Sequence, residues 1–275
     1  MNYHSDEWIM EGLYRHLEEA RNNIPKERIV VMTLKGSQNY GLDTQNSDID
    51  SYCVYIPTKE ELSQYMDYKP KYVITLSDGE VISFVDIRYF TYALTVRSLY
   101  YLDALCTKYY ICPNDKYLSI WQQYRALVDV LAESNKPAVM KSLNFYVNQH
   151  SGKVSDNFYP PRRANGYEKG YDGKALYWLI RCYVVAHLML ENRPFSDYTD
   201  EQLNQWARPA KENRYSAVSA HWLNRFLFAD FQRISAEVIE LYPVDKETDK
   251  KLVNQLNELV KEVLYDYYGE GFSTL

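Results

Sequence analysis

The chain has 275 residues, of which 46% are hydrophobic and 25% charged, with 10 glycines and 10 prolines. This balance belongs to a folded globular protein and excludes a disordered or collagen-like chain. No apolar run approaches the ~20 residues of a membrane-spanning helix. A net charge of −6 argues against broad, nonspecific coating of nucleic acid and leaves room for a local basic groove.

The start is acidic and amphipathic, without a signal-peptide core. Cys53, Cys106, Cys112 and Cys182 are scattered without metal-ligand spacing. Both features fit a reduced, cytoplasmic setting with no membrane partner. Tyrosine is abundant, 28 residues against 9 phenylalanines. Its flat ring and polar tip suit stacking on bases or sugars, and equally suit core and half-exposed positions.

Residues 4–23 read as a helix with Trp8, Leu13, Leu17 and Ile24 near one face, closed by Pro25. Residues 28–35 form a buried strand rich in Val and Ile, ending at Gly36. A polar loop then leads into a second strand over 48–56, stopped by Pro57. A short helix over 59–66 precedes a hairpin: 72–76, the turn Ser77-Asp78-Gly79, and 80–88. Residues 88–107 carry helical apolar spacing. Beyond Pro113 the pattern is helical only, over 121–134, 136–152, 173–192, 217–242 and 249–268. Segments 151–173 and 192–202, with Pro, Gly and polar residues, read as loops. The expected fold is therefore α/β over 1–112, a mixed sheet with flanking helices, followed by an all-α domain over 113–275. Acidic excess concentrates in the first part: 11 Lys and Arg stand against 16 Asp and Glu there. Residues 153–181 are locally basic, with Lys153, Arg162, Arg163, Lys169, Lys174 and Arg181.

Chemistry concentrates in Gly36-Ser37-Gln38-Asn39-Tyr40-Gly41 and Ser47-Asp48-Ile49-Asp50. At the start of a strand, Asp48 and Asp50 (i and i+2) point to one face. Two carboxylates held together repel unless a cation sits between them, and oxygen ligands of this kind suit Mg²⁺. Gly36 lets backbone N–H groups approach a phosphate, and the Ser37 hydroxyl adds a donor. In the hairpin, Asp86 alternates with Ile82 and Phe84, an apolar face on which a lone carboxylate is costly. Asp48, Asp50 and Asp86 with two Mg²⁺ would form a two-metal set for in-line displacement at phosphorus, with Mn²⁺ as a substitute.

The pattern Gly36-Ser37, Gly41 and Ser47-Asp48-Ile49-Asp50 resembles the signature of the DNA polymerase β-like nucleotidyltransferase superfamily. More narrowly, it is similar to a bacterial and phage subgroup of nucleotidyltransferases. The subgroup continues with a carboxylate-bearing strand, an LExL motif and a helix bearing a Lys and an Arg. This chain has FVDIRYF, Leu102 to Leu105 (LDAL) and GYDGKALYWLIR, so Asp103 stands where the subgroup carries Glu. The His that usually follows the Lys is replaced by Trp178 or a neighbour. The resemblance covers roughly residues 30–190.

The resemblance implies a nucleotidyltransferase domain over 1–112 that moves a nucleoside monophosphate from an NTP, ATP among the candidates, to an acceptor hydroxyl. Asp48, Asp50 and Asp86 would bind the metals and carry catalysis. Gly36, Ser37 and Ser47 would contact the nucleotide, and Lys174 and Arg181 would neutralise phosphate charge from the helical domain. On helical spacing, Lys174, Trp178, Arg181 and Val185 form one stripe of that helix. Leu176, Ile180, Tyr183, His187 and Leu190 form the opposite, core stripe. His4, His16, His150 and His221 show no ligand spacing. The expected acceptor is an RNA or tRNA 3′ end, with a protein or small-molecule hydroxyl as the alternative. A non-catalytic nucleotide- or RNA-binding module of the same fold is the rival from another class. Walker A, GxGxxG, GxSxG, CxxC and HExxH patterns are absent from the sequence.

Overall fold

The computed structural model describes residues 3–63, 71–155, 170–199 and 201–269. They form two compact units, one from residues 1–131 and 246–275, the other from 132–245. The boundary expected after residue 112 follows the end of the strands. The first compact unit runs on to residue 131 and takes back the last helix.

The first unit holds a mixed five-stranded sheet in the order β3-β4-β2-β1-β5. The strands are β1 (Ile29–Lys35), β2 (Asp50–Tyr55), β3 (Lys71–Thr75), β4 (Val81–Asp86) and β5 (Tyr110–Ile111). β2 and β4 run parallel, and the other neighbours are antiparallel. The mixed sheet, its flanking helices and the helical remainder agree with the sequence expectation, and among the described residues no strand follows Ile111.

β1 is buried along nearly its whole length, as its unbroken apolar run requires of a strand covered on both faces. On one face lies α1 (Asp6–Arg21), whose Ile9, Leu13, Leu17 and Ala20 pack with Met32, Leu34, Cys53, Ile82 and Phe84. Its N-terminus is set by Ser5, whose hydroxyl accepts the Trp8 N–H at 3.2 Å, with Asp6 and Glu7 in the first turn. Against the other face pack α3 (Ile87–Thr95) and α4 (Leu99–Cys106). The short α2 (Lys59–Ser63) follows β2, and the hairpin turn closes through Gly79 at φ 93°.

The single helix expected over 88–107 is broken at Arg97, which has φ 56° and is fully buried. Its guanidinium takes up the carbonyls that the break exposes, donating to Thr95 O at 2.6 Å and Leu94 O at 3.2 Å. It also reaches Leu131 O at 2.7 Å and pairs with Asp249. A buried cation thus satisfies a helix end, which the apolar periodicity could not show. The helix expected over 121–134 is likewise two, α5 (Leu118–Ala126) and α6 (Val128–Ser134). α11 (Lys246–Tyr268) packs on α3 and α5. Lys116 meets Asp266 at 3.2 Å, and the Tyr268 hydroxyl donates to the Pro57 carbonyl.

The second unit is built on α7 (Lys136–Ser155), α8 (Gly173–Leu190), α9 (Glu201–Lys211) and α10 (Ala217–Leu241). α9 was not expected, since Pro209 lies inside it and reads as a breaker. α8 packs against α7, α9 and α10 and is buried on nearly every side. The first expected stripe is therefore split: Arg181 and Val185 are as buried as Leu176 and Ile180, while Trp178 is half-buried and Lys174 is exposed. The loop expected over 151–173 lies largely outside the described residues, as do Arg162 and Arg163.

Many tyrosines serve the core. Tyr124 shares a 2.8 Å bond with Thr91, Tyr109 donates to Asp6 at 2.6 Å, and Tyr183 donates to Asp230 at 2.8 Å. Each buries its ring while its hydroxyl finds a partner.

Candidate functional site

β1 ends at Lys35, and Gly36 turns the chain with φ 120° and ψ −164°, a conformation that is essentially glycine's alone. A turn of 3₁₀-helix over Ser37–Tyr40 follows, closed by Gly41 at φ 64°. The turn is pinned on both sides. The Asn39 side chain donates to Leu34 O at 3.2 Å and accepts from Thr107 at 2.6 Å. Gln38 is buried, and its amide donates to the backbone carbonyl of Asp48 at 2.5 Å. One hydrogen bond therefore ties the glycine-serine turn to the acidic pair. Gly36→Ala would place a methyl 3.2 Å from Gln38 Oε1 at a forbidden φ. A loss of about 1–3 kcal/mol is expected in denaturant unfolding, and a loss below about 0.5 kcal/mol would show that the turn is unstrained.

Asp48 is exposed, and Asp50 is half-buried at the first position of β2. Ile49 between them is fully buried. It belongs to the core under α1, beneath Gly12, where an added Cβ would come within 2.7 Å of Ile49. Asp50 opens β2 on the face opposite Ser51 and Cys53, away from α1, while Asp48 precedes the strand and is exposed to solvent. Lys35 stands opposite Asp50 in the β1–β2 register, so it shares Asp50's face. Its ammonium lies 3.3 Å from Ser83 Oγ and 5.3 Å from the Tyr52 ring centroid. Ser47 supports the turn before the pair: its hydroxyl accepts the Thr44 N–H at 2.8 Å.

Asp86 is not brought to this pair. In the parallel register Asp50 lies opposite Val81, and Asp86 lies opposite Tyr55. Five residues of strand separate the two positions, roughly 16 Å at about 3.3 Å per residue. Asp86 also alternates with Ile82 and Phe84, the face away from Asp50. It is engaged locally: it caps α3 by accepting the Arg88 N–H at 2.7 Å and pairs with the Arg88 guanidinium at 2.6 Å. The apolar face that made a cation seem necessary is answered by Arg88 and the helix N-terminus. Among the described residues no group of three or more His, Cys, Asp and Glu side chains is placed to hold a metal ion. By register, then, Asp86 does not join Asp48 and Asp50 in the expected three-acid set. The Asp48–Asp50 pair, two oxygen donors either side of Ile49 with one of them exposed, fits a single hard divalent cation.

Lys174 is exposed in the first turn of α8, which Asp172 caps by accepting the Ala175 N–H at 3.0 Å. Arg181 is drawn into the interior of the second unit, its guanidinium 4.8 Å from the centroid of the Trp178 ring. His150 stacks on the same indole at 5.8 Å and 8°. Burial, with the charges of Lys153 and Lys174, lowers its pKa to about 4.

Reading the sequence missed Lys35, Gly12, His16 and Glu80. Lys35 could have been found by pairing β1 with β2 across the loop. His16 carried a signal too, as a polar residue four positions from Gly12 on the apolar stripe of α1. Glu80 gave none, because its partners come from elements far apart in the chain. No protein-family model matches the chain, and no curated protein matches it.

Proposed function

We propose that the protein is a metal-dependent nucleotidyltransferase that moves a nucleoside monophosphate from an NTP to an acceptor hydroxyl. The acceptor hydroxyl gives up its proton to water as its oxygen bonds to the α-phosphorus, the bond from that phosphorus to the α–β bridging oxygen breaks, and pyrophosphate leaves. The observation that carries this reading is the join between the two halves of the motif. Gln38 ties the Gly36-Ser37 turn to the backbone of Asp48, and Ile49 between the two acids is buried, which supports a common outlet for Asp48 and Asp50. Gly36 and Ser37 offer backbone and hydroxyl donors to phosphate oxygens. Asp48 and Asp50 would hold one Mg²⁺ or Mn²⁺, which supplies charge neutralisation for the triphosphate when bound. Lys35, on Asp50's face, adds a cation from the chain itself.

The position of Asp86 favours a second reading, a nucleotide-binding module that retains the turn and the acidic pair without transfer chemistry. One assay separates them. The protein is incubated with Mg²⁺, each α-labelled NTP, and RNA, protein or small-molecule acceptors. Label transfer with stoichiometric pyrophosphate supports the transferase, and the labelled product names the acceptor. NTP binding without pyrophosphate leaves the binding module.

Lys174 is proposed as a phosphate contact on the resemblance and on its exposure. Lys174→Ala should weaken NTP binding by about 1.5–3 kcal/mol, roughly 10- to 150-fold, with an unchanged melting temperature. Equal affinity in calorimetric titration would make Lys174 a surface residue. An RNA 3′ end remains the preferred acceptor because of the basic 153–181 stretch. If Arg162 and Arg163 contact RNA phosphates, replacing both by Ala should flatten the slope of log K against log salt by roughly 1.4 for a single strand. A wild-type slope near zero would exclude RNA.

A further inference from the structure

Beneath the acidic pair, on the α1 side of the sheet, lies a buried polar chain made of three elements. His16, on the buried face of α1, is fully buried, with Nδ1 2.8 Å from Ser51 Oγ and Nε2 2.9 Å from Glu80 Oε2. Glu80, just before β4 and also buried, uses its other oxygen, Oε1, to accept the Ile49 N–H at 3.1 Å. Half-exposed Arg15, one residue before His16, pairs with Glu80 from the rim. With a neutral imidazole against an ionised carboxylate, Nε2 donates to Glu80 and Nδ1 accepts from the Ser51 hydroxyl. Ser51, His16 and Glu80 stand in the order of nucleophile, base and orienting acid. Ser51 and His16 are fully buried, however, so no substrate reaches the hydroxyl and the set does no acyl chemistry.

What the chain does touch is the backbone around Asp48 and Asp50. Glu80 holds the N–H of Ile49, the residue between them. Ser51 is the residue after Asp50, and Gly12 lets α1 press on Ile49. From above, Gln38 holds the carbonyl of Asp48. The segment 48–51, which leads into β2, is thus clamped at successive positions. A carboxylate pair can chelate one cation only if the backbone between its two residues keeps them on one face.

We infer that Glu80 and His16 are positioning residues that fix Ile49 and Ser51 so that Asp48 and Asp50 converge on a divalent cation. The inference rests on the metal-dependent reading above. Groups that orient the ligands of a metal typically change its affinity 10- to 100-fold when removed.

The test is Mn²⁺ binding by the full chain, read from the electron paramagnetic resonance signal of free Mn²⁺ well below each variant's melting temperature. Glu80→Ala should weaken binding at least tenfold. Glu80→Gln should restore it to within about threefold, because its carbonyl can still accept the Ile49 N–H while its amide donates to the other His16 tautomer. If Glu80→Ala does not fold, Gly12→Ala serves instead: it removes no polar group and displaces Ile49, and it too should weaken Mn²⁺ binding. Unchanged Mn²⁺ affinity in folded Glu80→Ala, or in Gly12→Ala where that stands in, would overturn the positioning role, whatever the change in melting temperature. The double variant Asp48→Asn, Asp50→Asn separates the two levels. Wild-type binding that survives in it, or no wild-type binding at all, overturns the metal reading and the inference with it.

Discussion

Replacing Asp48 and Asp50 together by Asn is expected to abolish nucleotide transfer and the response of the protein to divalent ions. Two carboxylates that flank a buried Ile49 repel each other until a cation lies between them. Mg²⁺ binding the folded state alone should raise the melting temperature with concentration, by the mass-action term RT ln(1 + [L]/Kd). The amides remove both the repulsion and the ligand set. The melting temperature without metal should therefore hold or rise, and its dependence on Mg²⁺ should vanish. Transfer should fall by about a thousandfold, the equivalent of about 4 kcal/mol of transition-state stabilisation. Asp86→Asn should behave differently. Asn can still cap α3, and what it loses is the charged pairing with Arg88, so the loss should appear as roughly 1–2 kcal/mol of stability with the Mg²⁺ response intact. A Mg²⁺ response lost in Asp86→Asn and kept in the double variant would reverse the assignment.

The second large effect is acid sensitivity of the helical unit through His150. The folded pKa of this ring is lowered from 6.5 to about 4, chiefly by burial, with Lys153 and Lys174 adding to the effect. Between those two values the unfolded chain binds a proton that the folded chain does not. Stability therefore rises with pH across the window and is lost as pH falls from 6.5 towards 4. For a group only 7% exposed, the loss amounts to about 3 kcal/mol. His150→Phe keeps an aromatic ring against Trp178 and removes the titration. Denaturant midpoints from pH 7 to pH 4 should fall more steeply in wild type than in His150→Phe. Parallel curves would place the acid sensitivity elsewhere.

The buried stripe of α8 shows where sequence periodicity loses its hold. Lys174, Trp178, Arg181 and Val185 lie on one side of the helix by spacing alone, and the charges suggest a solvent face. In the folded unit α7, α9 and α10 surround α8, so Arg181 and Val185 are covered while Lys174 stays exposed in the first turn. Long cationic side chains lay their stems along apolar surface, so a charge in a pattern reports less about burial than an isoleucine does. The break at Arg97 has the same origin: the carbonyls it satisfies come partly from Leu131, 34 residues away.

By itself the sequence determined what depends on neighbours in the chain. The Val- and Ile-rich run of β1, the hairpin turning at Gly79, the amphipathic α1 and the Gly36-Ser37 turn all follow from local conformational preference and burial period. The position of Asp86 required the register of β2 against β4, and a parallel pair has no connecting turn to fix that register. Once it is known, Asp86 falls at the far end of its strand and Glu80 at the near end. The clamp of Gly12, His16, Ser51 and Glu80 on Ile49 likewise joins α1, β2 and the start of β4. Its hydrogen bonds span up to 64 residues of sequence, and only packing the helix on the sheet decides that they meet.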